Sequence, residues 1–168
     1  MPMSRNADLV GAAPCGGPEC GPTRSTRDGW WNDELVHSPP GKVAVERWQA
    51  IPERFPAVDI DAYVVMPDHI HGIVFCGTAP DDEARRATTG DVVRWFKSSV
   101  QAAYRHGVRR LGWSAYDRHL WQRDYHDRII RTADEFAQYH RYIEGNPGRW
   151  WERHRPKDIT IPPQQQNP

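Results

Sequence analysis

Two histidines separated by one isoleucine, His69-Ile70-His71, are the sharpest chemical feature of this 168-residue chain. On a strand, alternate residues project to one face, so the two imidazoles point together and Ile70 points away. Two neutral imidazoles on one face are a ready pair of metal ligands. With one further oxygen ligand, a divalent ion there keeps positions open for phosphate oxygens and acts on them as a Lewis acid. A His-x-His pair is short, and half-buried histidines at a strand end are the ordinary alternative.

Tyr142 and Asn146 form a second candidate pair. Four residues apart at a helix end, they can face one direction. A tyrosine hydroxyl can attack phosphorus and store the bond energy as a phosphotyrosine. Its ordinary pKa near 10 means that the developing charge needs a stabilising partner. Asn146 offers a carbonyl oxygen, a hard ligand. The competing reading makes Tyr142 core packing beside Phe136, Tyr139 and Ile143, because aromatics at helical spacing usually are core.

These residues need elements to hold them. Ala62 to Met66 and Ile70 to Cys76 are rich in β-formers, and Pro67-Asp68 between them is turn chemistry. The spacing predicts two strands with a tight connection, antiparallel. Upstream, Gly41 to Ile51 suits a short amphipathic helix with Val43, Trp48 and Ile51 on one face, Pro40 near its first turn, and Pro52 and Pro56 ending it. Thr88-x-x-Asp91 resembles a capping box, with a helix from Gly90 to about His106 stopped by Gly107. Its apolar stripe is Val92, Val93, Phe96, Val100 and Ala103. Extended pieces are expected around Leu120 to Tyr125. Thr132-x-x-Glu135 caps a helix from Ala133 to about Gly145, which Asn146-Pro147 ends. This order predicts an α+β sandwich, helices packed on an antiparallel sheet.

Composition sets the frame. No apolar stretch approaches the length of a membrane helix, and the first residues lack a signal peptide's basic start and apolar run. A cytoplasmic protein is expected. Cys15, Cys20 and Cys76 are too few and too scattered for a disulfide framework. Cys15 and Cys20 have loose spacing for zinc. The net charge is zero, but the charges are segregated. Residues 1–84 hold six Lys and Arg against thirteen Asp and Glu, whereas residues 85–155 hold fifteen against eight. A positive half suits phosphate binding; a solvated surface with paired arginines accounts for it equally.

MPDHIHGIVF, FKSSV, LWQRDYHDRIIR and YIEGNP follow one another in the chain, with ERWQAIPERFPAVDIDAYVVMPDH overlapping the first. Together they resemble the REP-associated tyrosine transposases, relatives of the single-tyrosine HUH transposases of insertion sequences. The resemblance covers roughly residues 30–151. It implies an HUH nuclease fold, with a ferredoxin-like or RRM-like antiparallel sheet. It implies His69, His71 and Asn146 as metal ligands, Mg²⁺ or Mn²⁺ as the metal, and Tyr142 as the nucleophile. Tyr125, after the WQ motif, is the competing nucleophile. The implied reaction cleaves and rejoins single-stranded DNA beside hairpins of repetitive palindromic elements through a 5′-phosphotyrosine. The implied protein is nucleoid-associated, a monomer or homodimer. Arg94, Lys97, Arg105, Arg123, Arg128 and Arg131 are the expected DNA contacts. Trp113, Trp121, Trp150 and Trp151 could stack bases or serve as core.

One region departs from the pattern. Where the family has a β-rich first strand, this chain reads LVGAAPCGGPECGPTRS. The expected organisation is an atypical or disordered segment 1–29, the transposase-like domain 30–151 and a flexible tail 152–168. A lost first strand leaves open a catalytically decayed, DNA-binding descendant. A cupin-like small-molecule enzyme would need many short strands, and replication initiators or relaxases fit the YIEGNP segment poorly.

Overall fold

The computed structural model describes residues 37–77 and 87–154. The expected atypical start, the segment expected to lack the first strand, the Cys15 and Cys20 pair and the end of the tail lie outside those residues. The fold is α+β: helices pack on both faces of a two-stranded antiparallel sheet.

The chain enters through α1 (Pro39–Gln49), where Ser38 Oγ accepts from the Gly41 amide and prolines occupy the first turn. Prolines cost nothing there, because those amides have no helical acceptor. The buried stripe is Gly41, Ala44 and Trp48, and Val43 is half-buried beside it. Pro52 does not break the structure. It sits in the first turn of a second short helix, α2 (Ile51–Arg54).

The hairpin follows as β1 (Val58–Val65) and β2 (Ile70–Cys76). The Met66 amide donates to the His69 carbonyl at 2.8 Å and closes the turn over Pro67 and Asp68. β1 starts earlier than expected because Asp59 and Asp61 mask its apolar alternation. Its pairing also slips: Ile60 faces Val74 and Tyr63 faces Gly72, so Asp61 and Ala62 share Ile73. This is a β-bulge, with two residues opposite one.

Helix α3 (Thr89–Arg110) opens with the expected capping box, Thr88 and Asp91 bonding reciprocally to each other's backbone amides. It does not stop at Gly107. That glycine is buried within the helix, and a Cβ on it would lie 2.1 Å from the Trp113 ring. The glycine serves a close approach; the helix ends at Leu111, followed by Gly112 at φ 71°. Tyr104 completes the buried stripe in place of Ala103.

No strand forms between Leu120 and Tyr125. Side chains, and not a ladder, bond to that backbone. Lys97 Nζ donates to the carbonyls of Gln122 and Asp124 at 3.1 and 3.2 Å. Trp121 Nε1 donates back to the Lys97 carbonyl at 2.9 Å.

Helix α4 (Ala133–Glu144) is capped by Thr132 as expected. Asn146-Pro147 ends it but does not end helical structure. Proline in a first turn starts α5 (Asn146–His154), which carries the chain past the boundary expected at 151.

The sheet separates two cores. On one side α1, α2 and α3 pack around Trp48, Ile51, Val65, Ile70, Val74, Phe96 and Leu120. On the other, Val64, Met66 and Ile73 meet Ile130, Ile143 and, around them, Phe136, Tyr139 and Trp150.

Candidate active site

Strand alternation divides β2 between the two cores. Ile70, Gly72 and Val74 face α1 and α3; His71, Ile73 and Phe75 face α4. His69 precedes the strand on the His71 side, and the two imidazole centroids are 4.7 Å apart. The side-by-side projection expected of the pair is therefore present. Gly72 matters on the opposite face, where Trp48 lies so close that a Cβ would meet its ring at 2.2 Å. That contact holds the strand between the histidines and the first core.

Each imidazole has a distinct environment. His69 is half-buried, and its Nδ1 lies 2.6 Å from Asp68 Oδ1. A carboxylate there favours the tautomer with hydrogen on Nδ1 and turns the Nε2 lone pair outward. The same Nε2 is 3.5 Å from the Asn146 amide nitrogen. His71 is 8% exposed, and its Nδ1 is buried without a hydrogen-bond partner among the described residues. Burial, with His69 adding to it, pushes its pKa down to about 4 while Asp68 opposes the shift. His71 is therefore neutral at pH 7, the form that can donate a lone pair.

Helix α4 brings Tyr142 to this face. Its ring centroid is 5.2 Å from that of His71, at an interplanar angle of 76°. Tyr142 is 39% exposed, and its helix neighbours Phe136, Tyr139 and Ile143 fill the core. The core-packing alternative thus falls to those neighbours. Asn146, at the start of α5, is 2% exposed, so its amide is held in place. Which amide atom faces His69 is interchangeable by rotation; turned over, Oδ1 faces the imidazole. Tyr125 sits elsewhere, packed on the α1–α3 core with Lys97 Nζ 5.7 Å from its ring.

These groups fit a divalent ion. Two imidazoles, one of them neutral with an orphaned buried nitrogen, and a buried amide converge beside a phenol. Among the described residues no cluster of three or more His, Cys, Asp or Glu side chains is spaced for a metal. A third protein ligand would come from outside those residue types, and the Asn146 amide stands 3.5 Å from His69 Nε2.

The six basic residues do not share one face. Lys97 and Arg105 lie on α3; Arg105 Nε is 3.3 Å from the Tyr116 hydroxyl. Arg94 pairs with Asp91 at 3.4 Å. Arg128 pairs with Glu135 at 3.3 Å and lies over Tyr139, on the α4 side. Arg123 and Arg131 are exposed. Trp113 and Trp121 pack against the first core, and Trp150 against the second. Asp68, expected only as turn chemistry, and Arg149 also stand beside this candidate site. Asp68 follows from its place beside His69. Arg149 stands seven residues beyond Tyr142, and its guanidinium carbon lies 4.9 Å from that ring's centroid.

The chain matches no protein-family profile. It is 30% identical over 134 residues to an uncharacterized protein of Haemophilus influenzae, an alignment covering 71% of each. Its fold is similar to the solved structure of a REP-associated tyrosine transposase bound to a REP hairpin. The TM-score is 0.52 at 17% identity, covering 89% of this chain and 70% of that one.

Proposed function

The chain belongs to the family of that Haemophilus influenzae protein, and for it we propose a metal-dependent transposase-type endonuclease acting on single-stranded DNA through Tyr142. The observation that carries this is the convergence of His69, His71, Asn146 and Tyr142 on one face of the sheet. The likeness in fold to a hairpin-bound transposase supports a DNA substrate, here single strands flanked by hairpins of repetitive palindromic elements.

The step is a transesterification. Tyr142 Oη attacks phosphorus and forms a Tyr–O–P bond to the 5′-phosphate. The P–O3′ bond breaks and the leaving oxygen takes a proton to become a 3′-hydroxyl, while the phenol proton passes to water. A second 3′-hydroxyl reverses the step and joins strands without an external energy source. His69 through Nε2, His71 and Asn146 would hold Mg²⁺ or Mn²⁺, which supplies Lewis-acid charge beside the phosphate when bound. Asp68 fixes the His69 tautomer. The burial of Asn146 and His71 fixes their geometry before substrate arrives. Residues 30–154 form the proposed catalytic unit, a monomer or homodimer acting on chromosomal DNA in the cytoplasm.

The test incubates the protein with labelled hairpin-flanked single strands, with and without Mn²⁺, and reads a denaturation-resistant adduct. Wild type is expected to form it only with metal. Tyr142→Phe should lower it by about 1,000-fold or more, since the residue would be the nucleophile itself. Tyr125→Phe should leave it intact. Hairpin binding by a folded protein without any adduct would replace this reading with a decayed, DNA-binding one.

A further inference from the structure

A cation stands over the proposed nucleophile. The Arg149 guanidinium carbon is 4.9 Å from the centre of the Tyr142 ring. The two residues lie on different helices, α4 and α5, joined at Gly145. Gly145 makes the room: a Cβ there would lie 2.9 Å from Arg149 Nη2 and 3.2 Å from the Arg141 carbonyl. The missing side chain lets the guanidinium fold back over the junction toward Tyr142.

Arg149 is exposed and, among the described residues, makes no ion pair. Arg94 and Arg128 each have a carboxylate partner. Glu152, one turn further along α5, does not reach Arg149. An exposed stack on an aromatic ring contributes little to stability. The guanidinium lies over the Tyr142 ring with no side-chain hydrogen bond among the described residues, and such a fork of donors matches two phosphate oxygens.

Resting on the reading above, we propose that Arg149 is a catalytic phosphate-binding residue, gripping the non-bridging oxygens of the scissile phosphodiester beside Tyr142. The bonds made and broken are those already given. Arg149 stays protonated throughout and exchanges no proton. Its charge meets the negative charge that builds on the phosphoryl oxygens as the Tyr–O–P bond forms. Its stacking on the ring sets the angle from which Oη approaches. Gly145 is a positioning residue that acts through Arg149.

Single-turnover adduct formation with Mn²⁺, followed across DNA concentrations, separates the saturated rate from the half-saturating concentration. Arg149→Ala is expected to slow the saturated rate by about 100-fold, the scale of losing one charged donor at a transition state. Hairpin affinity should change by less than about threefold, because the guanidinium acts on charge that builds in the transition state and not on ground-state binding. Arg149→Lys should recover part of the rate, restoring charge without the fork. Gly145→Ala should slow it by displacing the guanidinium, and Arg153→Ala should not. A single sulfur replacing a non-bridging oxygen of the scissile phosphate adds a readout that a structural role cannot move. For one diastereomer its slowing in wild type should shrink in Arg149→Ala. An Arg149→Ala rate within about threefold of wild type, below the loss of one charged donor, overturns this assignment alone. An equal sulfur effect in both proteins does the same. Absence of any adduct from wild type overturns the assignment together with the functional reading.

Discussion

The two faces of β2 are built for opposite purposes from residues that alternate along one strand. Toward α1 and α3, Ile70, Gly72 and Val74 present only hydrocarbon and backbone, with Trp48 against the glycine. Toward α4, His71 is buried with a nitrogen unpartnered among the described residues, and Asn146 is buried beside His69. The first face gains stability from close packing. Each face gives some up, since Trp48 Nε1 on the first and His71 Nδ1 on the second are buried without a partner among the described residues, and such a group costs free energy. The difference teaches where to look for chemistry: on the face whose unpartnered nitrogen belongs to an imidazole, which can offer a lone pair, and not to an indole, which can only donate.

The contrast can be broken from either side. After the loss of adduct expected for Tyr142→Phe, the largest effect lies on the sealed face. Gly72→Ala puts a Cβ 2.2 Å from a Trp48 ring carbon, wedged between a strand and a core tryptophan. Overpacking of that kind costs about 3 kcal/mol, read as a lower denaturation midpoint in urea. A loss below about 0.5 kcal/mol, the range of ordinary surface changes, would mean that the sealed face is loosely packed.

Acid tests the other face. The folded His71 imidazole holds off its proton until about pH 4, against an ordinary 6.5. The unfolded chain therefore binds the proton first as pH falls. Stability is full above 6.5 and is lost as pH drops toward 4, by about 2–3 kcal/mol. Urea unfolding in metal-free buffer across that range should show this slope in wild type and a shallower one in His71→Gln. Equal slopes would place the imidazole in water.

The smallest effect is metal itself. Mn²⁺ at about ten times its dissociation constant should stabilise the folded chain by about 1.4 kcal/mol. A thermal melt reads the shift, which should vanish in the double variant His69→Ala with His71→Ala. A shift that survives that variant would put the ion elsewhere.

Much of this was legible in the sequence, for reasons that differ by element. The hairpin was readable because Pro67-Asp68 is turn chemistry between two β-rich runs. The helices after Thr88 and Thr132 were readable because side-chain caps are local, although the full reciprocal box forms at Thr88 while Glu135 accepts from the Arg131 amide at the other. The histidine pair needed only strand alternation. What was hidden depends on partners distant in the chain. Gly107 looks like a helix stop until Trp113 is seen against it. The segment around Gln122 looks like a strand until Lys97 and Trp121 are found bonding its neighbourhood. Local spacing favours Tyr142 over Tyr125 through Asn146 four residues on, and the sheet puts the two tyrosines on opposite sides.

The bulge in β1 has a consequence for how the hairpin can change in length. Asp61 and Ala62 both turn toward α4: Asp61 lies 3.4 Å from His140, and Ala62 packs by Val64 and Met66. With two consecutive residues on one side, the strand carries a spare position. Removing one of them would leave Val58 and Ile60 in phase with Tyr63 and Val65, all still toward the first core. Removing a residue anywhere else in β1 or β2 would turn one stretch over and exchange core for surface. The strand can therefore lose a codon at one place without rotating the histidines away from the tyrosine, and relatives that differ in length here are expected to differ at that place.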